Sequence, residues 1–261
     1  MKFGIFRIIG NELFPRDKKG SRFSVTRTIV SVEPEFTECE KIWILNRFWN
    51  SELKLNLHNY LTNQNHIVFD IPFEREKFNS LSKREKFRYL LTLNSARNTA
   101  LKIGKEKYEY SILLDGDCFF DSLQWQCFIE KLNFIENSNN IIQIFSFPIK
   151  RLIYKNGSIK MINNQKEEPQ LAFSSSSKLF FDDKILYGFR DKVDLLKKLG
   201  FVRYSKFSNY YYPSSCISFE IGEVSHLANS NIYLEKFSSL RKIARLIAIF
   251  FLSLRIFFKL V

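Results

Sequence analysis

An apolar segment that ends in two carboxylates constrains this sequence most strongly. The run Tyr110-Ser-Ile-Leu-Leu114 has the composition of a buried strand, and Asp115 and Asp117 follow it with only Gly116 between them. In open α/β sheets, ligands bind at the carboxyl ends of the strands. Two carboxylates this close together are costly to ionise unless a cation lies between them. The segment therefore predicts a divalent-metal site that holds a diphosphate. The alternative is a polar turn, for which Asp-Gly is common.

Apolar and helical segments alternate along the chain, which predicts the fold class. The predicted strands are Phe3–Ile9, Ile42–Leu45, His66–Ile71, Tyr110–Leu114 and Ile141–Ile153, and the predicted helices are Phe23–Val32, Glu52–Leu61, Ser82 to about Ile103, Trp125–Phe134 and Phe189–Leu199. Ser82 and Glu85 form a capping box at the start of the longest helix, and Gly104 is expected to end it. Strands that alternate with helices predict an α/β fold with a mostly parallel, doubly wound sheet.

The composition indicates a globular chain with an anionic partner. Hydrophobic residues make up 45% of 261 residues, which is enough for one sizeable core. The formal net charge of +13 fits nucleic acid, an acidic membrane surface or a phosphorylated substrate. Basic residues are spread along the chain without a nucleic-acid-binding module, so we expect no nucleic acid partner. The amino terminus lacks the layout of a signal peptide, and a cytoplasmic setting is expected.

One helix and the strand that follows it resemble a known enzyme family. The segments Asn94-Ser-Ala-Arg97-Asn98 and Leu113-Leu-Asp115-Gly-Asp117 resemble the GT-A glycosyltransferases, in particular the broad family-2-like bacterial set. That subgroup often has Asp-Gly-Asn where this chain has Asp-Gly-Asp. The resemblance implies a GT-A fold and transfer of a sugar from a nucleotide-diphosphate donor. A UDP-sugar is the expected donor, because the resembled family usually uses one. It also implies a glycan or lipid-linked acceptor, in surface polysaccharide synthesis.

The resemblance implies a cation, Mn²⁺ or Mg²⁺, held near the Asp-Gly-Asp segment. In the resembled fold the last Asp of the motif usually contacts the metal directly, which makes Asp117 the first candidate ligand. Asp115 would contact the ribose or reach the metal through water. His226 is a candidate further ligand, because GT-A enzymes often supply a late His or Asp and imidazole binds Mn²⁺ beside carboxylates. The alternative for His226 is a structural role.

Polar residues near the expected strand ends are candidate nucleotide ligands. By the resemblance and the rule for strand ends, they are Asn94, Arg97 and Asn98 on the helix, Asn11, Glu12 and Arg16 after the first strand, and Asn46 and Arg47 after the second. The helix residues could instead cap a neighbouring loop. The arginines after the strands could instead be solvated surface residues.

Glu168 is the candidate catalytic base. An inverting transferase needs a carboxylate to deprotonate the acceptor hydroxyl, and Pro169 keeps the residue before it out of a helix. Glu167 and Glu223 are competing carboxylates. A retaining enzyme needs no such base, and the sequence leaves the stereochemistry open.

The carboxyl-terminal segment predicts a cationic amphipathic helix. We expect residues 1–235 to form the catalytic domain and residues 236–261 to form this helix. Arg241, Arg245, Arg255 and Lys259 share a narrow face, opposite a wide apolar face that includes Ile247, Phe250 and Leu254. The apolar core is too short to span a bilayer. This favours a helix in the interface of an anionic membrane, on its inner face, while packing on the protein body or dimerisation are the alternatives.

Two other functions remain compatible with the sequence. A nucleotidyltransferase also uses paired carboxylates and a metal, but it normally has a glycine-rich phosphate loop after the first strand, and the segment that begins at Gly10 lacks one. A non-catalytic, membrane-associated protein that binds nucleotide sugars is the second alternative.

Overall fold

A seven-stranded sheet forms the centre of the molecule. The computed structural model describes residues 1–13, 17–91, 93–137, 143–155, 158–162, 168–185, 192, 195–196, 202–204, 209–211, 218–227, 247, 250–254 and 256. The helices are α1 Ser21–Val32, α2 Ser51–Asn63, α3 Arg75–Ser80, α4 Lys83–Leu91, α5 Asn94–Lys107 and α6 Ser122–Asn137. The strands are β1 Phe3–Ile9, β2 Cys39–Asn46, β3 Ile67–Ile71, β4 Tyr110–Asp115, β5 Cys118–Phe119, β6 Ile144–Phe147, β7 Ile149–Lys155, β8 Ser158–Ile162, β9 Gln170–Ser174, β10 Val202–Tyr204, β11 Asn209–Tyr211, β12 Ser218–Glu220 and β13 Val224–Leu227.

The strand order in this sheet is β12-β6-β9-β4-β1-β2-β3. Strands β4, β1, β2 and β3 are parallel to one another, and β12 is parallel to β6. Strand β9 is antiparallel to both of its neighbours, β4 and β6. The predicted mixed α/β fold with a mostly parallel sheet is confirmed. Its order brings the carboxyl ends of β4, β1 and β2 to one edge, where such sheets bind ligands.

Side chains of each central strand alternate between two buried faces. Ile5 of β1 packs in a cluster with Phe128 of α6, whereas the next residue, Phe6, packs in a cluster with Ala96 and Ala100 of α5. Helices therefore cover both faces of the sheet, which is why its central strands are almost entirely apolar.

The long helix expected from Ser82 to about Ile103 is two helices, so that prediction was wrong. The capping box is present, since the backbone N–H of Ser82 donates to Glu85 Oε2 at 2.9 Å. However, α4 buries Leu90 in a different apolar cluster from the one that Ala96 and Ala100 of α5 join. One straight helix buries a single stripe of side chains, so it could not pack its apolar residues into both clusters.

Gly104 does not end α5, contrary to expectation. The helix continues to Lys107, and Gly104 lies where α5 approaches β4. A Cβ atom on Gly104 would overlap the hydroxyl of Ser111 and lie 2.9 Å from its Cβ. The glycine is therefore needed for close helix–strand packing, and it is not a helix terminator.

A second sheet of four strands, in the order β5-β13-β7-β8, lies beside the first. The segment Ile141–Ile153, expected to be strand-like throughout, enters both sheets, because β6 and β7 are separated by Pro148 and belong to different sheets. Most of the helix predicted at Phe189–Leu199 lies outside the described residues. No helix in the described part of the chain has the length and apolarity needed to cross a bilayer.

Candidate functional site

The Asp-Gly-Asp segment lies at the carboxyl edge of the large sheet. Asp115 ends β4 opposite Ile8 of β1, and Gly116 and Asp117 form the turn into β5. A Cβ atom on Gly116 would lie 3.0 Å from the carbonyl oxygen of Ile8, so the turn passes too close to β1 for a larger residue. The side chains of Asp115 and Asp117 are 38% and 26% exposed. Both carboxylates can therefore meet a ligand from solvent.

Asp115 is bound by two cationic side chains of the protein. Arg97 Nη2 lies 2.9 Å from Asp115 Oδ1, and Lys192 Nζ lies 2.8 Å from Oδ2. Gln170 Nε2 also donates to Oδ2, at 3.1 Å. Burial raises the pKa of Asp115, but the charges of Lys192 and Arg97 outweigh it and hold the pKa well below its ordinary range. We call these four residues the Asp115 cluster; with two cations and one anion, its net charge is positive.

Two members of the Asp115 cluster were not identified from the sequence. Gln170 begins β9, where its Oε1 accepts from Asp115 N at 2.9 Å and from Lys192 Nζ at 2.7 Å. Gln170 lies two residues after Glu168, the candidate base, and was not itself predicted to have a role. The side chain of Lys192 is only 1% exposed. The chain has 40 Lys and Arg residues, and no sequence motif around Lys192 distinguishes it from the others. Only the tertiary structure identifies it.

Asp117 faces a histidine from a distant part of the chain. His226 Nε2 lies 3.2 Å from Asp117 Oδ2. Strand β13 holds the histidine there, because His226 pairs with Cys118 and the N–H of Leu227 donates to the carbonyl of Asp117 at 2.8 Å. Burial raises the pKa of Asp117, but the charge and hydrogen bond of His226 lower it to about 2. The structure thus brings together Asp117 and His226, two of the three residues predicted to be metal ligands.

A buried ion pair supports the backbone just after Asp117. Arg7 of β1 is fully buried, forms an ion pair with Glu33 and donates from Nε to the carbonyl of Cys118 at 2.9 Å. Glu33 Oε1 also accepts from the backbone N–H of Phe120, at 3.0 Å. Arg7 and Glu33 therefore fix the chain that positions Asp117, although neither was predicted to have a role.

The polar residues of α5 hold both Asp115 and a neighbouring loop. Asn94 Oδ1 accepts from Arg97 Nη1 at 2.9 Å, and Asn94 Nδ2 donates to the carbonyl of Asp182 at 2.8 Å. Asn98 Nδ2 donates to the carbonyl of Phe181 at 3.0 Å, and its Oδ1 accepts from Phe181 N at 2.9 Å. Arg97 thus reaches the candidate site, while the two asparagines have the loop-capping role given above as their alternative.

The candidates after β1 stabilise local structure. Asn11 accepts from the N–H of Trp49 at 3.0 Å and donates to the carbonyl of Arg47 at 2.8 Å, which joins the loops after β1 and β2. Glu12 accepts from the N–H groups of Gly20 and Arg22, so it caps α1 from outside the helix. Arg16 lies outside the described residues.

The two candidates after β2 differ in what they contact. Arg47 places its guanidinium over the ring of Tyr89, 4.6 Å from the centroid, and donates to the carbonyl of that residue at 3.0 Å. Asn46 is 1% exposed, and neither its amide oxygen nor its amide nitrogen has a hydrogen-bond partner among the described residues. A buried amide without partners is costly, so the side chain of Asn46 is chemically suited to a ligand.

Glu168 lies close to the same edge. Strands β4 and β9 are antiparallel with Leu113 opposite Leu171, so the residues before Gln170 run beside those after Leu114. Glu168 is half-buried, directly before Pro169. The register therefore brings its backbone beside the Asp-Gly-Asp segment.

The residues at this edge fit a divalent cation with two protein ligands. Asp117 offers carboxylate oxygens and His226 an imidazole nitrogen, a combination that Mn²⁺ accepts. Both oxygens of Asp115 already accept hydrogen bonds from the protein, so Asp115 has less capacity left for a metal than Asp117 has. No group of three or more His, Cys, Asp or Glu side chains within the described ranges forms a metal site. A cation here would complete its coordination with phosphate oxygens and water.

Comparisons with known proteins give only remote likenesses. No family model matches the chain, and no curated protein is similar to it. It resembles the solved structure of a mannosyltransferase from Pyrobaculum calidifontis in complex with GDP-Man and Mn²⁺, at 9% identity and a TM-score of 0.46, covering 87% of this chain and 56% of that one. A putative nucleotide-diphospho-sugar transferase from Desulfovibrio desulfuricans has 11% identity and a TM-score of 0.39, with coverages of 77% and 76%. Mouse xyloside xylosyltransferase 1 has 11% identity and a TM-score of 0.31, with coverages of 57% and 52%.

The chain thus spans about half the length of the first and third of these proteins. At such low identities and TM-scores they assign it to no family. What the fold and the site define is an α/β protein with a carboxylate–histidine pair and a cationic cluster at the carboxyl edge of its parallel strands.

Proposed function

We propose that this chain is a metal-dependent GT-A glycosyltransferase that moves a sugar from a nucleotide-diphosphate donor to a hydroxyl of a glycan or lipid-linked acceptor. The observation that carries the proposal is the contact between Asp117 and His226, 3.2 Å apart at the carboxyl end of β4. The Asp115 cluster beside it supplies positive charge next to the same edge. The resemblance of the Asn94–Asn98 and Leu113–Asp117 segments to GT-A enzymes supports the same function.

In this proposal Asp117 and His226 hold Mn²⁺ or Mg²⁺. When bound, the cation neutralises the charge that develops on the diphosphate leaving group. Arg97 and Lys192 keep Asp115 ionised and leave a net positive charge in the cluster, which attracts the diphosphate electrostatically. Asp115 thereby serves to orient these two cations and would not be the main metal ligand.

The nucleoside would lie at the ends of β1 and β2. Asn46 is the favoured ligand there, because its buried amide lacks partners among the described residues. An amide can donate to a base carbonyl and accept from a base N–H. Asn11, Glu12, Asn94 and Asn98 would act by holding the loops that shape this edge.

Glu168 would deprotonate the attacking hydroxyl of the acceptor. The sugar then passes to that oxygen while the bond to the diphosphate breaks. The register of β9 with β4 supports this role, since β9 begins beside the end of β4 only two residues after Glu168. Replacing Glu168 with Gln should lower kcat by about 100-fold or more with little effect on donor binding. Equal rates in E168Q and wild type would overturn this role.

A donor screen tests the proposed reaction. UDP-, GDP- and CMP-sugars are incubated with the full chain in Mn²⁺, in Mg²⁺ or in EDTA, and the released nucleotide is measured. We expect release from one donor class that depends on the metal. Release of pyrophosphate from nucleoside triphosphates would identify a nucleotidyltransferase instead. Thermal stabilisation by nucleotide without any release would identify a non-catalytic binding protein.

A further inference from the structure

A helical segment near the carboxyl terminus packs on the body and leaves apolar side chains exposed. Residues 247, 250–254 and 256 are helical. Leu252 and Ile256 are buried in a cluster with Phe78 of α3 and with Leu90 of α4. By contrast, Phe250 is 58% exposed, and Ile247 and Phe251 are each 40% exposed. These three residues form a partly exposed apolar surface.

The exposed and the buried side chains lie on opposite sides of this segment. Positions two residues apart on a helix are separated by about 200°, so Phe250 and Leu252 point in nearly opposite directions. Ile247 lies on the wide apolar face predicted from the sequence, together with Phe250. Ile247 and Phe250 are therefore turned away from the body, while Leu252 and Ile256 attach the helix to α3 and α4.

The helices that hold this segment are strongly basic. Between Arg75 and Leu91 there are six Lys or Arg residues and two Glu, a net charge of +4. Arg75, Lys83 and Arg84 are exposed, whereas Lys77, which is also exposed, forms an ion pair with Glu74. An apolar surface on a segment that is anchored to helices with exposed cations matches the interface of an anionic bilayer, where acyl chains lie beneath negatively charged headgroups.

The cluster that anchors this segment also reaches the loops at the carboxyl edge of the large sheet. The cluster that buries Leu252 also contains Leu13, which follows β1, with Trp49, which follows β2, packed against it. Arg47 at the end of β2 stacks on Tyr89 of α4. The carboxyl edge of the large sheet is thus joined by direct packing to the helices that carry the basic residues.

We propose that Ile247, Phe250 and Phe251, together with the exposed cations of α3 and α4, form a docking face for a bilayer that contains anionic phospholipids. The aromatic side chains enter the boundary between headgroups and acyl chains, and Lys83 and Arg84 contact the headgroups. This orientation places the carboxyl edge of the sheet next to the membrane surface. Docking is a binding event that does not depend on the transfer reaction.

Vesicle sedimentation tests this docking face. The full chain is mixed with phosphatidylcholine vesicles that contain or lack phosphatidylglycerol, at low and high salt, and the bound fraction is measured. We expect binding to the anionic vesicles that weakens with salt. F250S/F251S and K83E/R84E should each reduce the partition coefficient by about ten-fold or more.

A matched control uses apolar residues that are more exposed but lie on another surface. Leu123 and Phe134 of α6 are 70% and 77% exposed, and α6 contains one Lys and two Glu. L123S/F134S should bind anionic vesicles like the wild type. Circular dichroism and Tm verify that each variant is folded. Absent vesicle binding, or an equal loss in the control, would overturn the proposal. So would a dimer that F250S/F251S dissociates without any effect on vesicle binding, since the face would then belong to a second copy.

Discussion

The ammonium group of Lys192 lies 2.8 Å from Oδ2 of Asp115. The first carboxylate of the Asp-Gly-Asp segment is therefore already neutralised by the protein, with Arg97 on its other oxygen. Asp117 has His226 as its partner, and no Lys or Arg forms an ion pair with it among the described residues. The two carboxylates thus have separate tasks, in which Asp115 orders the cationic cluster and Asp117 is directed toward a ligand.

Replacing Lys192 with Met should destabilise the fold. The variant removes a buried charge partner of Asp115, which we expect to lower the free energy of unfolding by about 2 kcal/mol, because Arg97 still binds the carboxylate. Urea denaturation measures the change. Lys184 is exposed, and K184M should change the free energy of unfolding by less than about 0.5 kcal/mol. Equal stability of K192M and K184M would contradict the importance of this contact.

The buried Arg7–Glu33 pair should be sensitive to the loss of one partner. E33Q leaves the guanidinium of Arg7 fully buried without its carboxylate, which we expect to cost about 3 kcal/mol or more. The double variant R7M/E33L should recover much of that loss, because it removes both charges. Chemical denaturation of the three proteins gives the comparison. If E33Q and wild type unfold at the same denaturant concentration, the pair does not support the chain after Asp117.

Gly104 should tolerate no side chain. In G104A the new methyl group meets Ser111 on β4, and we expect a destabilisation of about 1–3 kcal/mol from overpacking. S111A in the same background removes the hydroxyl but keeps the Cβ atom at 2.9 Å, so it should restore only part of the stability. A stable G104A variant would show that α5 can move away from β4.

Stability should fall between about pH 6.5 and pH 4 because of His66. Burial, together with the charges of Lys41 and Arg7, lowers the pKa of this imidazole to about 4. The unfolded chain binds the proton below about pH 6.5, whereas the folded chain resists it, so stability is complete above that pH and declines as the pH falls. The loss should be on the order of 2–3 kcal/mol. Denaturation at pH 7.5 and pH 4.5 should show a clearly smaller loss in H66Q; an unchanged loss would assign the effect to other groups.

The fold was predictable where the sequence pattern is local. Strands β1 to β4 are apolar runs that end at polar or turn residues, and their buried faces require a sheet covered on both sides. The break between α4 and α5 was missed because it depends on two separate clusters, one around Phe78 and one around Phe6. Helical periodicity alone gives no information about which cluster a turn of helix will join.

The candidate site was predictable in part for the same reason. Asp115, Asp117 and Arg97 stand in motifs, and the contact between Asp117 and His226 matches the expected metal ligands. Lys192 and Gln170 reach Asp115 from distant segments, so their roles depend on tertiary packing. Glu12 was predicted from its position after the first strand and Asn98 from the resemblance, but both side chains bind backbone groups, and only coordinates distinguish a cap from a ligand.

Titration of the full chain with Mn²⁺, alone and with UDP, tests the central claim most directly. Binding is measured by the loss of the free Mn²⁺ signal in electron paramagnetic resonance. We expect D117N and H226Q each to weaken Mn²⁺ binding by about ten-fold or more. The control is D121N, which makes the same charge change four residues further along the chain. Asn can still accept the hydrogen bond that Asp121 accepts at the start of α6, so D121N should bind Mn²⁺ like the wild type. Mn²⁺ binding by D117N that equals the binding by D121N would contradict the account.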